Sequence, residues 1–325
     1  MVFMSGARAR TLANLSLMAS TSQPATWKTL LAFAIIYFVW GSTFLAIRIG
    51  VLEVPPFLFA AMRFVLAGVI LCVWLLFQRQ HLPVGRQWLS IVLLATLIFV
   101  GDYGLVFWAE QTVPSGVTAV MLATIPAFMA LSEILVLRTQ RMTVRLALAL
   151  LIGIAGVAVL VSRSLNLGGQ PINATGAMAL IVASMSWSVG SILTRKLPLP
   201  SSKVVSAGSQ MLIGGILLFL VSALLGELPK FHPATLSRAV WISLLYLSIA
   251  GSVIAFTAYL WLIHHQSPTK VGTYAYVNPV IAVLLGYFFA GESLGLRTVL
   301  GTLFVLISVV IITTTRAKKL EPTDG

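Results

Sequence analysis

Charge is scarce in this chain of 325 residues: acidic and basic side chains together make up 9%, and only eight residues are acidic. Hydrophobic residues make up 59% and mean hydropathy is strongly positive, which excludes a soluble globular domain and describes a polytopic membrane protein. Cysteine is almost absent as well. Cys72 stands alone, so a disulfide framework and a cysteine metal site are both excluded. The four histidines, His81, His232, His264 and His265, fall in predicted loops, and there is no phosphate-binding glycine loop and no HExxH. ATP hydrolysis, metal catalysis and a bound cofactor are therefore not expected. A membrane-embedded lipid-modifying enzyme would need an acid or histidine cluster at a membrane surface, and the sequence offers none. Residues 1–27 lack the apolar core of a cleavable secretory signal and read as a cytoplasmic tail.

What the chain has instead is apolar runs of membrane-crossing length. Ten are predicted, over residues 30–50, 57–77, 88–110, 114–137, 143–162, 173–194, 204–225, 238–263, 269–290 and 296–314. An even number of crossings puts both termini on one side. Fifteen of the 21 basic residues fall on that side, five on the other, and Arg63 lies within a span. By the positive-inside rule both termini are cytoplasmic. The net charge of +13 then records topology, and nucleic acid is not expected as a partner. Trp27, Trp88 and Trp241 open spans, where amphipathic rings settle among headgroups.

The chain also repeats itself. Trp40 stands eight residues before Arg48, and Trp187 eight before Arg195, an offset of 147 between the halves that also brings Gly68 onto Gly215. An offset of 153 places Trp88 on Trp241, Trp108 on Trp261 and Pro126 on Pro279. Each half holds five predicted spans, an odd number, so the second copy enters the membrane from the opposite side. Inverted repeats with interrupted helices at the midplane are the architecture of alternating-access carriers. Pro126 and Pro279 each sit mid-span and lack the N–H that a helix needs, which predicts two hinges flanking one site.

Ionisable groups at membrane depth are costly and point to pairing or pathway. Asp102 lies deepest, and reads either as a proton-coupling or substrate-amine group or as a structural acid between helices. Arg63 is predicted to pair with Asp102 or Glu110, the alternatives being to snorkel outward or to bind a substrate carboxylate. Around them fall Trp40, Ser42, Tyr103, Trp108, Trp187, Tyr259, Tyr274 and Asn278, a set suited to an amphipathic or aromatic small molecule, although any one ring could simply pack between helices. Small residues such as Gly153, Gly156, Gly214 and Gly215 permit close helix approach and leave a homodimer open. The sequon Asn173-Ala-Thr175 abuts a span and reads as a chance match.

Five ordered motifs carry a resemblance: FVWGSTFLAIRIG from Phe38, PPFLFAAMRFVLAG from Pro55, WAEQTVPSGVTAVMLATIP from Trp108, SWSVGSI from Ser186 and SPTKVGTYAYVNPVIAVLLG from Ser267. Together they resemble the EamA-type permeases of the drug/metabolite transporter superfamily, among them the YedA-like exporters of bacterial inner membranes. The resemblance implies an all-α integral membrane protein of ten helices, built as two inverted EamA repeats around a central cavity, at residues 28–163 and 164–315, with a short cytoplasmic tail at 316–325. It also implies export of small metabolites, amino acids or drugs without ATP; an importer or exchanger of the same fold is the alternative. Gly291-Glu292 matches the family pattern, whereas the first half has Thr139-Gln140. The acid that small four-helix relatives carry in their first helix has no match, since residues 30–50 contain none.

Overall fold

The computed structural model describes residues 26–135, 142–161, 172–194, 196–265, 271 and 274–314. Among them there are helices and no strands. Seven helices are long and apolar enough to cross a membrane: α1 (Thr26–Val51), α2 (Pro56–Phe77), α3 (Arg86–Ala109), α4 from Ser115, α6 (Ala174–Leu193), α7 (Lys203–Leu224) and α8 from Arg238. Among the described residues three shorter apolar helices accompany them: α5 (Val144–Val161), α9 (Tyr274–Ala290) and α10 (Leu296–Thr314). Large apolar side chains such as Phe77, Leu89, Ile154, Phe219 and Phe288 stand exposed around the outside, as a lipid-facing surface requires.

Local chemistry explains where the helices begin and end. Asn173, Ser202 and Ser237 cap α6, α7 and α8 by accepting backbone N–H groups of the first turn. The Asn173 Oδ1 accepts from both Thr175 and Gly176, so the Asn-x-Thr triplet works here as a helix cap. The helices α2 and α4 instead start after Pro55 and Pro114, which offer no side-chain cap. Gly226 and Gly291, at φ of +67° and +63°, end α7 and α9 in the left-handed conformation that glycine alone adopts cheaply.

The two halves interlock through equivalent positions. A Cβ on Gly68 would lie 2.6 Å from the backbone nitrogen of Leu212, and one on Gly215 would lie 2.6 Å from that of Val65, so α2 and α7 cross backbone to backbone. Gly156 and Gly301 bring α5 and α10 together in the same way. Equivalent stretches of α3 and α8 wind as π-helix, over Thr96–Gly104 and Leu247–Ile254, as does Ile35–Val39 of α1. Such turns often mark functional sites.

The two prolines act differently. The fourth helix is not one rod: it breaks into Ser115–Leu122 and Ile125–Leu135, with the Thr124 hydroxyl closing on the Met121 carbonyl just ahead of Pro126. Pro279, by contrast, lies inside the continuous helix α9. There Gly41 lets α1 approach so closely that a Cβ would meet Ile281 at 2.8 Å and the Asn278 carbonyl at 3.3 Å. The matched interruption read from the sequence is thus a break in one half and an unbroken helix in the other.

Candidate functional site

Two aromatic groups lie inside the bundle, one from each set of equivalent helices. In the first, Trp40 of α1 meets Tyr259 of α8 and Tyr274 of α9, each at 5.2 Å between ring centroids. The Trp40 indole N–H donates to the carbonyl of Gly251, in the π segment of α8, at 3.1 Å. In the second, Tyr103 of α3 lies 4.7 Å from Phe64 of α2, 5.9 Å from Phe99 and 5.9 Å from Trp187 of α6. The repeat relates them: Trp40 and Trp187 are equivalent, and so are Tyr103 and Phe256, which sits 6.2 Å from Tyr259.

Arg63 does not pair with Asp102 or Glu110. Its Nε donates to the Ser252 hydroxyl at 3.1 Å, and its guanidinium lies against Phe64, Tyr103 and Phe107, at 4.7, 5.2 and 5.9 Å from the ring centroids. Ring quadrupoles and a hydroxyl of α8 hold the cation in place of a carboxylate. The Ser252 oxygen is in turn fixed by donating to the Leu247 carbonyl, a span of five residues that the π winding permits. Arg63 Nη1 is buried without a hydrogen-bond partner.

Asp102 is 3% exposed and its Oδ1 has no hydrogen-bond partner. Its equivalent in the second half is the equally buried Ala255, so the acid is a feature of one half alone. Asp102 directly precedes Tyr103, and Arg63 lies over the Tyr103 ring of the second cluster. Glu110 is fully buried at the end of α3 with both carboxyl oxygens unpartnered. Arg48 donates to the Glu110 backbone carbonyl and not to its carboxyl group.

The remaining predicted residues divide. Ser42 shares a hydrogen bond of 2.6 Å with the Tyr246 hydroxyl and donates back to carbonyls of its own helix, tying α1 to α8. Asn278 is buried beside the α1 contact with Oδ1 unpartnered. Trp108 stands apart, 38% exposed and in ring contact with none of these groups. Sequence reasoning missed Ser252, Tyr246, Phe64 and Phe99. Only Ser252 left a trace, since the 153-residue offset puts it on Phe99, and both project toward α2.

A bundle of apolar helices built from two related halves, with rings, hydroxyls and a few buried charges gathered inside it, is a multi-pass membrane transporter. The EamA-like transporter family matches residues 27–162 and again 174–314, and the chain belongs to that family. The inner membrane transporter YedA of Escherichia coli is 37% identical over 280 residues, covering 86% of this chain and 88% of its own. Protein PecM of Dickeya dadantii is 29% identical over 292 residues, covering 88% and 94%, and the transporter YoaV of Bacillus subtilis is 24% identical over 294 residues, covering 90% and 99%. A solved crystal structure sharing 23% identity superposes with a TM-score of 0.58 over 87% of this chain and 94% of that one, a likeness of fold. The relatives and the apolar helices place the protein in a bacterial inner membrane.

Proposed function

We propose that this protein exports small amphipathic metabolites, such as amino acids or drug-like compounds, by alternating access. In this reading all ten helices cross the membrane as two inverted five-helix units, with both termini in the cytoplasm. The observation that carries it is the pair of repeat-related aromatic groups inside the bundle, one built on Trp40 and the other on Tyr103, with the buried Asp102, whose Oδ1 lacks a hydrogen-bond partner, next to Tyr103 in the chain. Ring faces would take the apolar part of a substrate, while Asp102, Asn278 and the tyrosine hydroxyls would orient its polar part. The helix break before Pro126 and the donor missing at Pro279 would supply the pivots.

A thermal-shift screen of the purified protein in detergent, against amino acids, nucleosides, sugars and cationic drugs, tests the site, because a ligand of the folded state raises apparent stability by mass action. The expected result is a hit that disappears in Tyr274→Ala and in Asp102→Asn while both variants stay folded. A hit unaffected by either substitution overturns the placement of the site. Counterflow of that compound in proteoliposomes then tests transport itself.

A further inference from the structure

Among the described residues, three glutamates do the same thing. Glu292 accepts from the Ser115 backbone N–H at 2.6 Å, the Ser115 hydroxyl at 2.7 Å and the Gly116 N–H at 3.0 Å, at the start of α4. Glu227 accepts from the N–H groups of Phe57 and Leu58, at 3.4 and 2.9 Å, at the start of α2. Glu53 accepts from the Ser237 N–H at 2.8 Å and its hydroxyl at 2.7 Å, at the start of α8. Each carboxylate meets the positive end of a helix dipole, and each of these ties joins one half of the chain to the other.

All three lie on one face. The loop at Glu53 adjoins the start of α2, which Glu227 holds, and itself reaches Ser237 in the loop after α7. Arg48, one turn before that loop, bonds the Glu110 carbonyl, and the loop after Glu110 leads to Ser115, which Glu292 holds. These ties and the loops between them connect the ends of α1 to α4 with those of α7 to α10.

We infer that Glu53, Glu227 and Glu292 are a latch that closes one side of the transporter, the periplasmic side when both termini are cytoplasmic, and that its release opens that side. The inference rests on the alternating-access reading above. Ordinary helix caps are local, as Asn173, Ser202 and Ser237 are. The helices α2 and α4 instead begin at prolines without a cap and take one from residues about 170 positions away in the other half. Two of the three glutamates directly follow a left-handed glycine at a helix end, in Gly226-Glu227 and Gly291-Glu292, which aims them at the opposite half. A space is also kept for one of them, since a Cβ on Gly286 would lie 2.3 Å from Glu292 Oε2. Contacts of this kind suit a gate, because water can satisfy both the carboxylate and the helix N–H groups once they part, whereas an apolar seal would expose unpaired surface.

The test uses the full chain with Cys72→Ser and one new thiol, Val117→Cys, which lies buried beneath the latch on α4, or Leu52→Cys, which is exposed on the latch face. An impermeant maleimide is applied to intact cells. With the latch present, Leu52→Cys reacts and Val117→Cys is protected. The triple variant Glu53→Gln, Glu227→Gln, Glu292→Gln is expected to label Val117→Cys at least ~10-fold faster, as loss of a bias toward the closed state requires, with Leu52→Cys unchanged. Equal protection of Val117→Cys in a folded triple variant overturns the latch, and Leu52→Cys reacting only in inside-out vesicles overturns its assignment to the periplasmic side. If the triple variant fails to fold, Glu292→Gln alone decides by the same criterion. Counterflow by the unsubstituted protein is measured in parallel: exchange together with an unchanged label refutes the latch and leaves the transporter reading standing.

Discussion

Replacing Gly286 with alanine sets two effects of opposite sign against each other. Gly286 lies inside α9, and alanine in a helix interior is better than glycine by about 0.5–1 kcal/mol. The new methyl group, however, would sit 2.3 Å from Oε2 of Glu292 and 2.8 Å from its Cδ. Favourable contact needs roughly 3.5 Å, so the carboxylate must retreat by about 1 Å. Its bond to the Gly116 N–H is already 3.0 Å long and would be lost. Hydrogen bonds to a charged group contribute about 1.5–3 kcal/mol each, and a helix cap typically ~1 kcal/mol. For a partly buried carboxylate that water can partly re-solvate, the gross loss is about 2 kcal/mol, so Gly286→Ala should destabilise the protein by a net ~1 kcal/mol. In a Glu292→Ala background the clash with the carboxylate and its bonds are both gone; the helix term remains beside a 3.2 Å approach to the Ser115 hydroxyl, which is released from Glu292 and can turn aside. There the same substitution should stabilise by about 0.5–1 kcal/mol. Unfolding of the detergent-solubilised protein, measured for all four members of this double-mutant cycle, checks the change of sign. Equal effects of Gly286→Ala in the two backgrounds would refute the reasoning.

Three further predictions follow from the same geometry. Gly68→Ala and Gly215→Ala each push a methyl group to 2.6 Å from backbone that cannot rotate away, and each should cost about 1–3 kcal/mol in the same unfolding assay, whereas Gly153→Ala, facing the tip of Ser308, should cost less. The Glu53 carboxyl is held below the usual carboxylate range, first by the Ser237 backbone N–H and then by the Ser237 hydroxyl, with a small opposing contribution from burial. Its depressed value means that its contribution is present above the unfolded pKa and is lost as pH falls through the folded one. Melting temperatures of the wild type and Glu53→Gln should therefore differ by a constant amount near neutral pH and converge on acidification below the ordinary carboxylate range. Asn173→Ala should cost ~1 kcal/mol by removing the α6 cap, and Asn173→Asp should restore most of it, as thermal melts of the two variants would show.

How much of this was legible beforehand depended on whether the signal was local or repeated. Spans longer than a bilayer is thick can be read from composition, because lipid forces every backbone polar group to be satisfied within its own helix. The repeat could be read as well, and its offsets brought Trp40 onto Trp187, each a member of one ring group, and Gly68 onto Gly215, a pair that the folded chain uses in equivalent contacts. The partner of Arg63 could not be read. A sequence pairs a buried cation with the nearest acids, whereas the fold supplied three rings and Ser252, which lies 189 residues away. Tyr246 was overlooked for the same reason, its bond to Ser42 spanning 204 residues.

The sequence by itself determined that this is a helical membrane protein of two related halves, since hydropathy and spacing are properties of the chain whatever its fold. It also placed a glutamate after the glycine that ends α7 and another after the glycine that ends α9. Only the tertiary structure decided where those carboxylates go. A helix N-terminus attracts any nearby anion, and which anion is near depends on how α2, α4 and α8 pack against the other half. The same packing sets Pro279 apart, since α9 lies close against α1 along Gly41 and is continuous through the proline, whereas the break before Pro126 carries a local bond from the Thr124 hydroxyl to the Met121 carbonyl.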